Sequence, residues 1–264
     1  MHLSDLAVAE LRLGEAVIRL QAPAGPGAPW TVETEAAGAT HTGGEGERWS
    51  LAADYIWSTI PISVLARVMS PAPPPEVLFA MERIRYRSMI LVYLTLDVEQ
   101  FSEYDAHYFP GAEVAITRMS EPKNYSAAAE PRGHTVLCAE LPCSPDDDVW
   151  SMSEAELGRL VADDLERADI PLPVAPSGVH VRKLRYAYPI YHRGYERHFQ
   201  VLDAWASGLP GLLSFGRQGL FAHDNTHHAL YMAYCAVDCL EGGVFDDQRW
   251  QGFRREFETH VVED

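Results

Sequence analysis

Leu209-Pro210-Gly211-Leu212-Leu213-Ser214-Phe215-Gly216-Arg217-Gln218-Gly219-Leu220-Phe221-Ala222-His223-Asp224-Asn225-Thr226-His227-His228 is the stretch on which the reading of this chain turns. Leu212 to Phe215 is a short apolar strand, Gly216 a tight turn, and the residues after it a polar loop. A helix follows from about Thr226, because Ala229, Met232, Ala233, Ala236 and Leu240 recur at helical spacing. The small side chains Ala229, Ala233 and Ala236 allow that helix to lie close to a sheet or a cofactor. Its first turn offers unpaired amides and a partial positive charge, which suit an anion or a reduced, anionic ring. An ordinary strand–turn–helix unit, capped by Asn225 or Thr226, would carry the same pattern. The residues alone leave both readings open.

Outward from this stretch the chain alternates short strands and helices. Glu15 to Gln21 and Trp30 to Thr34 read as strands separated by the turn cluster Ala22-Pro23-Ala24-Gly25-Pro26-Gly27. A Gly/Thr-rich connection covers Gly38 to Gly46, and Asp54 to Ile60 is a strand stopped at Pro61. Ile62 to Met69 and Glu76 to Arg85 are expected to be helical, with a Pro-rich loop between them. Ser88 to Asp97 is β-branched, aromatic and apolar, the pattern of a buried central strand. Glu113 to Arg118, Thr135 to Leu141 and Val179 to Tyr188 complete the strand candidates. Asp146 to Asp148 reads as an acidic loop. Ser153-Glu154-Ala155-Glu156 is a capping box opening a helix to about Ala168. Glu196 to Ala206 and Asp246 to Phe257 are further helices. The expected class is α+β, a mostly antiparallel mixed sheet with flanking helices.

The 264 residues carry 21 Lys+Arg against 38 Asp+Glu, a net charge of −17. Without a basic stripe to offset it, that charge argues against nucleic acid as a partner. No apolar run has the length of a membrane span, and the Met1-His2-Leu3-Ser4-Asp5 start lacks the plan of a signal peptide. Cys138/Cys143 and Cys235/Cys239 are not C-x-x-C pairs and sit among apolar residues, so buried thiols are expected in a reducing, cytoplasmic setting.

A second candidate site is Arg118-Met119-Ser120-Glu121-Pro122-Lys123-Asn124-Tyr125, with Glu140 on the following strand. Arg118, Lys123 and Asn124 could clamp a carboxylate or phosphate on a small-molecule substrate, or form a solvated loop with surface ion pairs. Tyr188, Tyr191 and Tyr195 could wall a pocket or serve as core and rim aromatics. His223, His227 and His228 include a His-x3-His spacing, but no supporting ligand stands nearby except Asp224, so no metal is expected. No Gly-x-Ser-x-Gly elbow is present.

Three segments resemble the amine-oxidase-type FAD-dependent oxidoreductases, the broad family that includes protoporphyrinogen oxidases and UDP-galactopyranose mutases. Ala53-Asp54-Tyr55-Ile56-Trp57-Ser58-Thr59-Ile60-Pro61 resembles the family's Ala-Asp-x-Val-Ile-x-Thr-x-Pro strand. Tyr188-Pro189-Ile190-Tyr191-His192-Arg193-Gly194-Tyr195 is similar to its Pro-x-Tyr-x-x-Gly-His/Tyr segment. Gly216-Arg217 and the helix start resemble its last FAD-contact motif. The resemblance implies that Gly216, Arg217, Gln218, Asp224, Asn225, Thr226 and His227 contact FAD. It also implies that Arg118, Lys123, Asn124, Tyr188 and Tyr191 face the substrate. Hydride would pass from substrate to flavin, with the helix at Thr226 stabilising the reduced ring.

The family's G-x-G-x-x-G is missing: Gly25-Pro26-Gly27 and Gly43-Gly44-Glu45-Gly46 neither follow a buried strand nor open a helix. The expectation is the C-terminal part of such a flavoprotein without its dinucleotide-binding Rossmann unit. Residues 62–205 would be substrate-domain-like, with 1–61 and 206–240 as remnants of the FAD-binding domain. Such a chain would bind FAD weakly or not at all until completed by a G-x-G-x-x-G-bearing partner or by self-association. Two other readings stand beside an oxidoreductase: a non-redox flavoenzyme similar to nucleotide-sugar mutases, and a non-catalytic binding or assembly subunit.

Overall fold

The computed structural model describes residues 9–25, 27–36, 47–126 and 130–262. The Gly38–Gly46 connection, including Gly43-Gly44-Glu45-Gly46, and Pro26 lie outside them. The backbone forms two compact units, one comprising Met1–Arg85 with Tyr191–Asp264, the other Tyr86–Ile190.

In the first unit, β1 (Glu15–Gln21) and β2 (Trp30–Ala36) pair antiparallel around the expected turn, with an irregularity between Val17 and Arg19. β3 (Arg48–Ala53) extends the sheet from β2. This strand escaped the sequence reading because it is mostly exposed and its residues, RWSLAA, do not alternate. The strand expected over Asp54–Ile60 narrows to β4 (Ile56–Ser58). Pro61 caps α1 (Ile62–Val68), Met69 turns extended into β5 (Met69–Ser70), and α2 (Pro75–Met81) starts on a proline whose missing amide costs the helix nothing. β5 adds parallel to β1, giving the order β3-β2-β1-β5.

The second unit is built on β6 (Arg85–Leu96). Ile90, Val92, Leu94 and Leu96 are fully buried at alternate positions, the period-2 pattern of one face against a core. β7 (Ala106–Tyr108), β8 (Arg118–Ser120), β9 (Thr135–Cys143) and β10 (Gly178–Ile190) complete an antiparallel-dominated sheet ordered β10-β6-β9-β8-β7. After the short α3 (Asp148–Ser151), which occupies part of the expected acidic loop, α4 (Glu154–Arg167) opens on the Ser153–Glu156 capping box. It lays Leu157, Val161 and Leu165 into the same core.

Glu113–Thr117 is not the expected strand. Asp164, 1% exposed on α4, accepts hydrogen bonds from the Ala115 and Ile116 amides at 2.8 and 3.2 Å. Those donors are satisfied by a carboxylate instead of a ladder; cross-strand bonding begins at Thr117, whose amide donates to the Glu140 carbonyl at 2.9 Å, and the strand itself at Arg118.

Past residue 190 the first unit resumes with α5 (Tyr195–Ser207), β11 (Leu212–Ser214), the single turn α6 (Gly216–Gly219), α7 (Thr226–Asp238), the ribbon β12 (Leu240–Glu241) and β13 (Val244–Phe245), and α8 (Asp247–Phe257). Asp246 caps α8 by accepting from the Arg249 amide at 2.9 Å. Leu213, Phe215 and Leu220 pack with Met232, Cys235 and Ala236 of α7 and with Trp250 and Phe257 of α8. All four cysteines are buried free thiols. No helix among the described residues is long and apolar enough to cross a membrane.

Candidate functional site

β4 and β11 run parallel, Ile56 beside Leu212, Trp57 beside Leu213 and Ser58 beside Ser214, so both strands end together. Ligands of open parallel sheets bind beyond such carboxyl ends. Gly216, just past β11, has φ +77°, a left-handed conformation that a side chain disfavours. Its amide donates to Met232 Sδ at 3.2 Å, fixing the turn to α7. Ser214 Oγ donates to the Gly219 carbonyl at 3.1 Å and closes α6 beneath it. At the same end the Ser58 hydroxyl and the Trp57 indole nitrogen are buried without a hydrogen-bond partner among the described residues.

Arg217 Nε donates to the Asp224 carbonyl at 2.7 Å, so the loop after α6 is folded back on its own start. Phe221 within that loop has φ +51°, strained for a bulky residue. Aromatic packing holds it: the rings of Tyr191, Tyr195 and Phe199 lie 5.8, 5.6 and 6.1 Å away, and Tyr191 donates its hydroxyl proton to the Phe221 carbonyl at 3.1 Å. Burial, reinforced by Tyr195 and Asp224, pushes the Tyr191 phenol up to about 12, so it stays a donor at neutral pH.

Asn225 caps α7 in a reciprocal box with His228, whose Nδ1 accepts from the Asn225 amide at 3.2 Å. Thr226 and His227 are exposed in the first turn, where backbone amides have no intrahelical acceptor. Gln218 is half-buried in α6. Of the residues proposed from sequence to meet a cofactor, Gly216, Arg217, Gln218, Asn225, Thr226 and His227 therefore gather around one strand end and one helix start. Asp224 is placed differently. Its side chain is 5% exposed, and Oδ1 lies 3.5 Å from Nδ1 of both His228 and His260. Burial, with His227 and His260 nearby, holds His228 below the ordinary imidazole range despite Asp224.

In the second unit Arg118 pairs with Glu140 across the β8–β9 ladder, Nε to Oε1 at 3.3 Å. Burial draws its pKa down, but Glu140 and the surrounding Tyr125, Tyr108 and Tyr188 outweigh that and raise it. Arg118 and Tyr188 are thus brought together. Lys123 and Asn124 are engaged elsewhere. Lys123 Nζ donates to Glu99 Oε1 and to the Glu99 and Pro131 carbonyls, each at 2.7 Å. Asn124 Nδ2 donates to the Ser102 and Tyr104 carbonyls at 3.0 and 2.8 Å. Both clip loops together, a role their spacing in the sequence does not reveal. Tyr191 belongs to the first unit, beside Phe221.

Two clefts of about 480 and 930 Å³ flank Tyr55 and Pro210–Gly211; the smaller also runs along β11 to Ser214, and Gly216 lines neither. We place the candidate site at the carboxyl ends, where the convergent donors are. Sequence reasoning missed Ser58, Trp57 and His260 as members of this region. None carries a local motif, and only tertiary packing assembles them.

Residues 4–235 match the sequence profile of the flavin-containing amine oxidoreductases. Among solved structures, a reduced UDP-galactopyranose mutase superposes with a TM-score of 0.69 at 18% identity, covering 95% of this chain and 51% of that one. A candidate protoporphyrinogen oxidase from Exiguobacterium sp. 255-15 gives 0.54 at 21% identity, covering 77% and 42%. A putrescine oxidase bearing three substitutions gives 0.51 at 14% identity, covering 75% and 41%. The chain thus spans about half the length or less of these structures. No curated protein matches it. With the profile extending over most of its length, this chain belongs to the flavin-containing amine oxidoreductase family.

Proposed function

We propose that this chain is the substrate-domain-bearing part of an FAD-dependent oxidoreductase, acting once a dinucleotide-binding unit, on this polypeptide or another, completes the site. The parallel pair β4–β11 carries the proposal. Two three-residue parallel strands are an unstable sheet by themselves, and parallel strands occur as interior members of larger sheets. Yet Leu212, Leu213 and Ser214 are buried, and among the described residues neither strand has a second neighbour. A fragment of a larger sheet has this form.

Helix α7 supports the same reading. Met232, Cys235 and Ala236 face the core, while Leu230, Tyr234 and Val237, at positions i, i+4 and i+7, are 57, 69 and 56% exposed. A helix apolar on two sides is made to be covered on both. The occupant we assign is the dinucleotide-binding unit, since the mutase structure that covers nearly all of this chain has about as much chain again.

The residues present fit a flavin. Gly216 leaves room for close backbone approach, Arg217 offers a guanidinium to the ribityl–pyrophosphate side, and Ser58 Oγ is a buried hydroxyl awaiting a partner. The first-turn amides of α7 that the Asn225 cap does not take would hold negative charge at the pyrimidine edge. When bound, the flavin supplies the hydride acceptor. Within the second unit, Arg118 and Tyr188 would hold the substrate; Lys123 and Asn124 would support it indirectly through the loops they fasten.

The test is anaerobic addition of an amine substrate panel to the chain co-expressed with a G-x-G-x-x-G-bearing unit. Bleaching of the flavin band supports an oxidoreductase; turnover of a nucleotide sugar without net bleaching would replace it with the non-redox reading. In that assembly Arg217→Ala should weaken FAD roughly 10- to 100-fold, the scale of one charge-assisted hydrogen bond of about 1.5–3 kcal/mol.

A further inference from the structure

We infer that Asp224, His228 and His260 form a binding site for a divalent metal ion of the zinc type, independent of any flavin. The three offer one ligand atom each, all within 4.8 Å of one another. Asp224 Oδ1 stands 3.5 Å from each histidine Nδ1. In a tetrahedral zinc site with bonds of about 2.0–2.1 Å, neighbouring ligands are about 3.4 Å apart, so two edges of the tetrahedron are already at length. Neither contact satisfies the groups as they stand: at 3.5 Å they are too long for strong hydrogen bonds. Asp224 Oδ2 and His260 Nδ1 are buried with no hydrogen-bond partner among the described residues.

The chemistry of the donors agrees. Two imidazoles and a carboxylate, all at least 85% buried by side chain, are a common set for zinc with water as fourth ligand. The His228 and His260 rings stack at 4.3 Å with 13° between their planes. Because each lone pair lies in its ring plane, the two nitrogens can meet at one ion only once the His260 ring turns about Cβ–Cγ out of that stack. The metal would replace the 3.2 Å bond that His228 Nδ1 receives from the Asn225 amide.

The ion would tie the segment after α8 to the first turn of α7. Asp224, His228 and His260 lie at the two ends of that connection, so the clip fixes the loop containing Phe221. Sequence spacing points instead to His223 and His227; His260, far downstream, enters only through the fold.

Isothermal titration of metal-stripped chain with Zn²⁺, and visible spectroscopy with Co²⁺, test this. One equivalent should bind, with the ligand-field bands of four-coordinate Co²⁺. His260→Ala and Asp224→Asn should each weaken binding about 100-fold, while His227→Ala, which keeps the triad, should leave it within about threefold. Circular dichroism of each variant separates lost ligation from lost fold. Absence of stoichiometric binding in the folded wild type, unchanged affinity in folded His260→Ala, or loss of binding in His227→Ala would overturn the assignment.

Discussion

Trp30→Ala should lower the melting temperature of the unit holding the candidate site by on the order of 10 °C. Trp30 is fully buried on β2, and its indole Nε1 donates to the Pro210 carbonyl at 2.9 Å. Truncation of a core tryptophan costs about 3–5 kcal/mol, and the abandoned carbonyl adds to it. In a unit of this size each kcal/mol moves the transition by about 2–4 °C. The junction is tight on its other side as well. Gly211 has φ +73°, and a Cβ there would fall 2.8 Å from the Asp54 carbonyl and 3.3 Å from Trp30 Nε1. The Gly211 carbonyl in turn accepts from the Ile56 amide at 2.8 Å, which sets β11 alongside β4. Trp30 therefore positions the strand pair that ends at Gly216. Trp30→Phe, which retains most of the volume but no donor, should lose about a third as much; equal losses in thermal denaturation would show that the hydrogen bond dominates.

Glu121→Ala should destabilise the second unit by about 3–5 kcal/mol, read from urea denaturation, through loss of a buried acceptor that serves several donors at once. The side chain of this residue, 2% exposed after β8, receives the Phe101 and Ser102 amides at 2.9 Å each and the Thr135 hydroxyl at 2.6 Å. Asn124 Nδ2 adds a fourth contact at 3.3 Å. Only an acceptor on both oxygens can serve them all. Glu121→Gln preserves size but turns an NH2 toward donors, so it should recover no more than about half of the loss. Hydrogen exchange at Phe101 and Ser102 should accelerate in both variants. A stability within about 0.5 kcal/mol of wild type for Glu121→Ala would contradict this role.

The most legible elements in the sequence were those in which local pattern and burial agree. Arg85–Leu96 is apolar and β-branched because its core face is sealed, and α4 announces its start through Ser153 and Glu156. The strand–turn–helix around Gly216 was legible for a similar reason: the turn needs a left-handed residue and the helix needs a cap. Long-range chemistry was hidden. Nothing near Glu113–Thr117 shows that Asp164, some fifty residues later, takes the amides a strand would use. Lys123 looked available for a substrate because its distant acceptors, Glu99 and Pro131, reach it only through folding. Asp224 reads as part of an exposed helix start, yet the fold turns its carboxylate toward His228 and His260.

The central claim is that this chain holds one side of a flavin site and needs a dinucleotide-binding unit for the other. The visible absorbance spectrum of the purified chain, taken after incubation with FAD and desalting, tests it most directly. We predict a colourless protein alone and a retained flavin band when a G-x-G-x-x-G-bearing unit is present. A flavin band that survives desalting with the chain alone would contradict the account, because the chain would then hold the cofactor without the second unit.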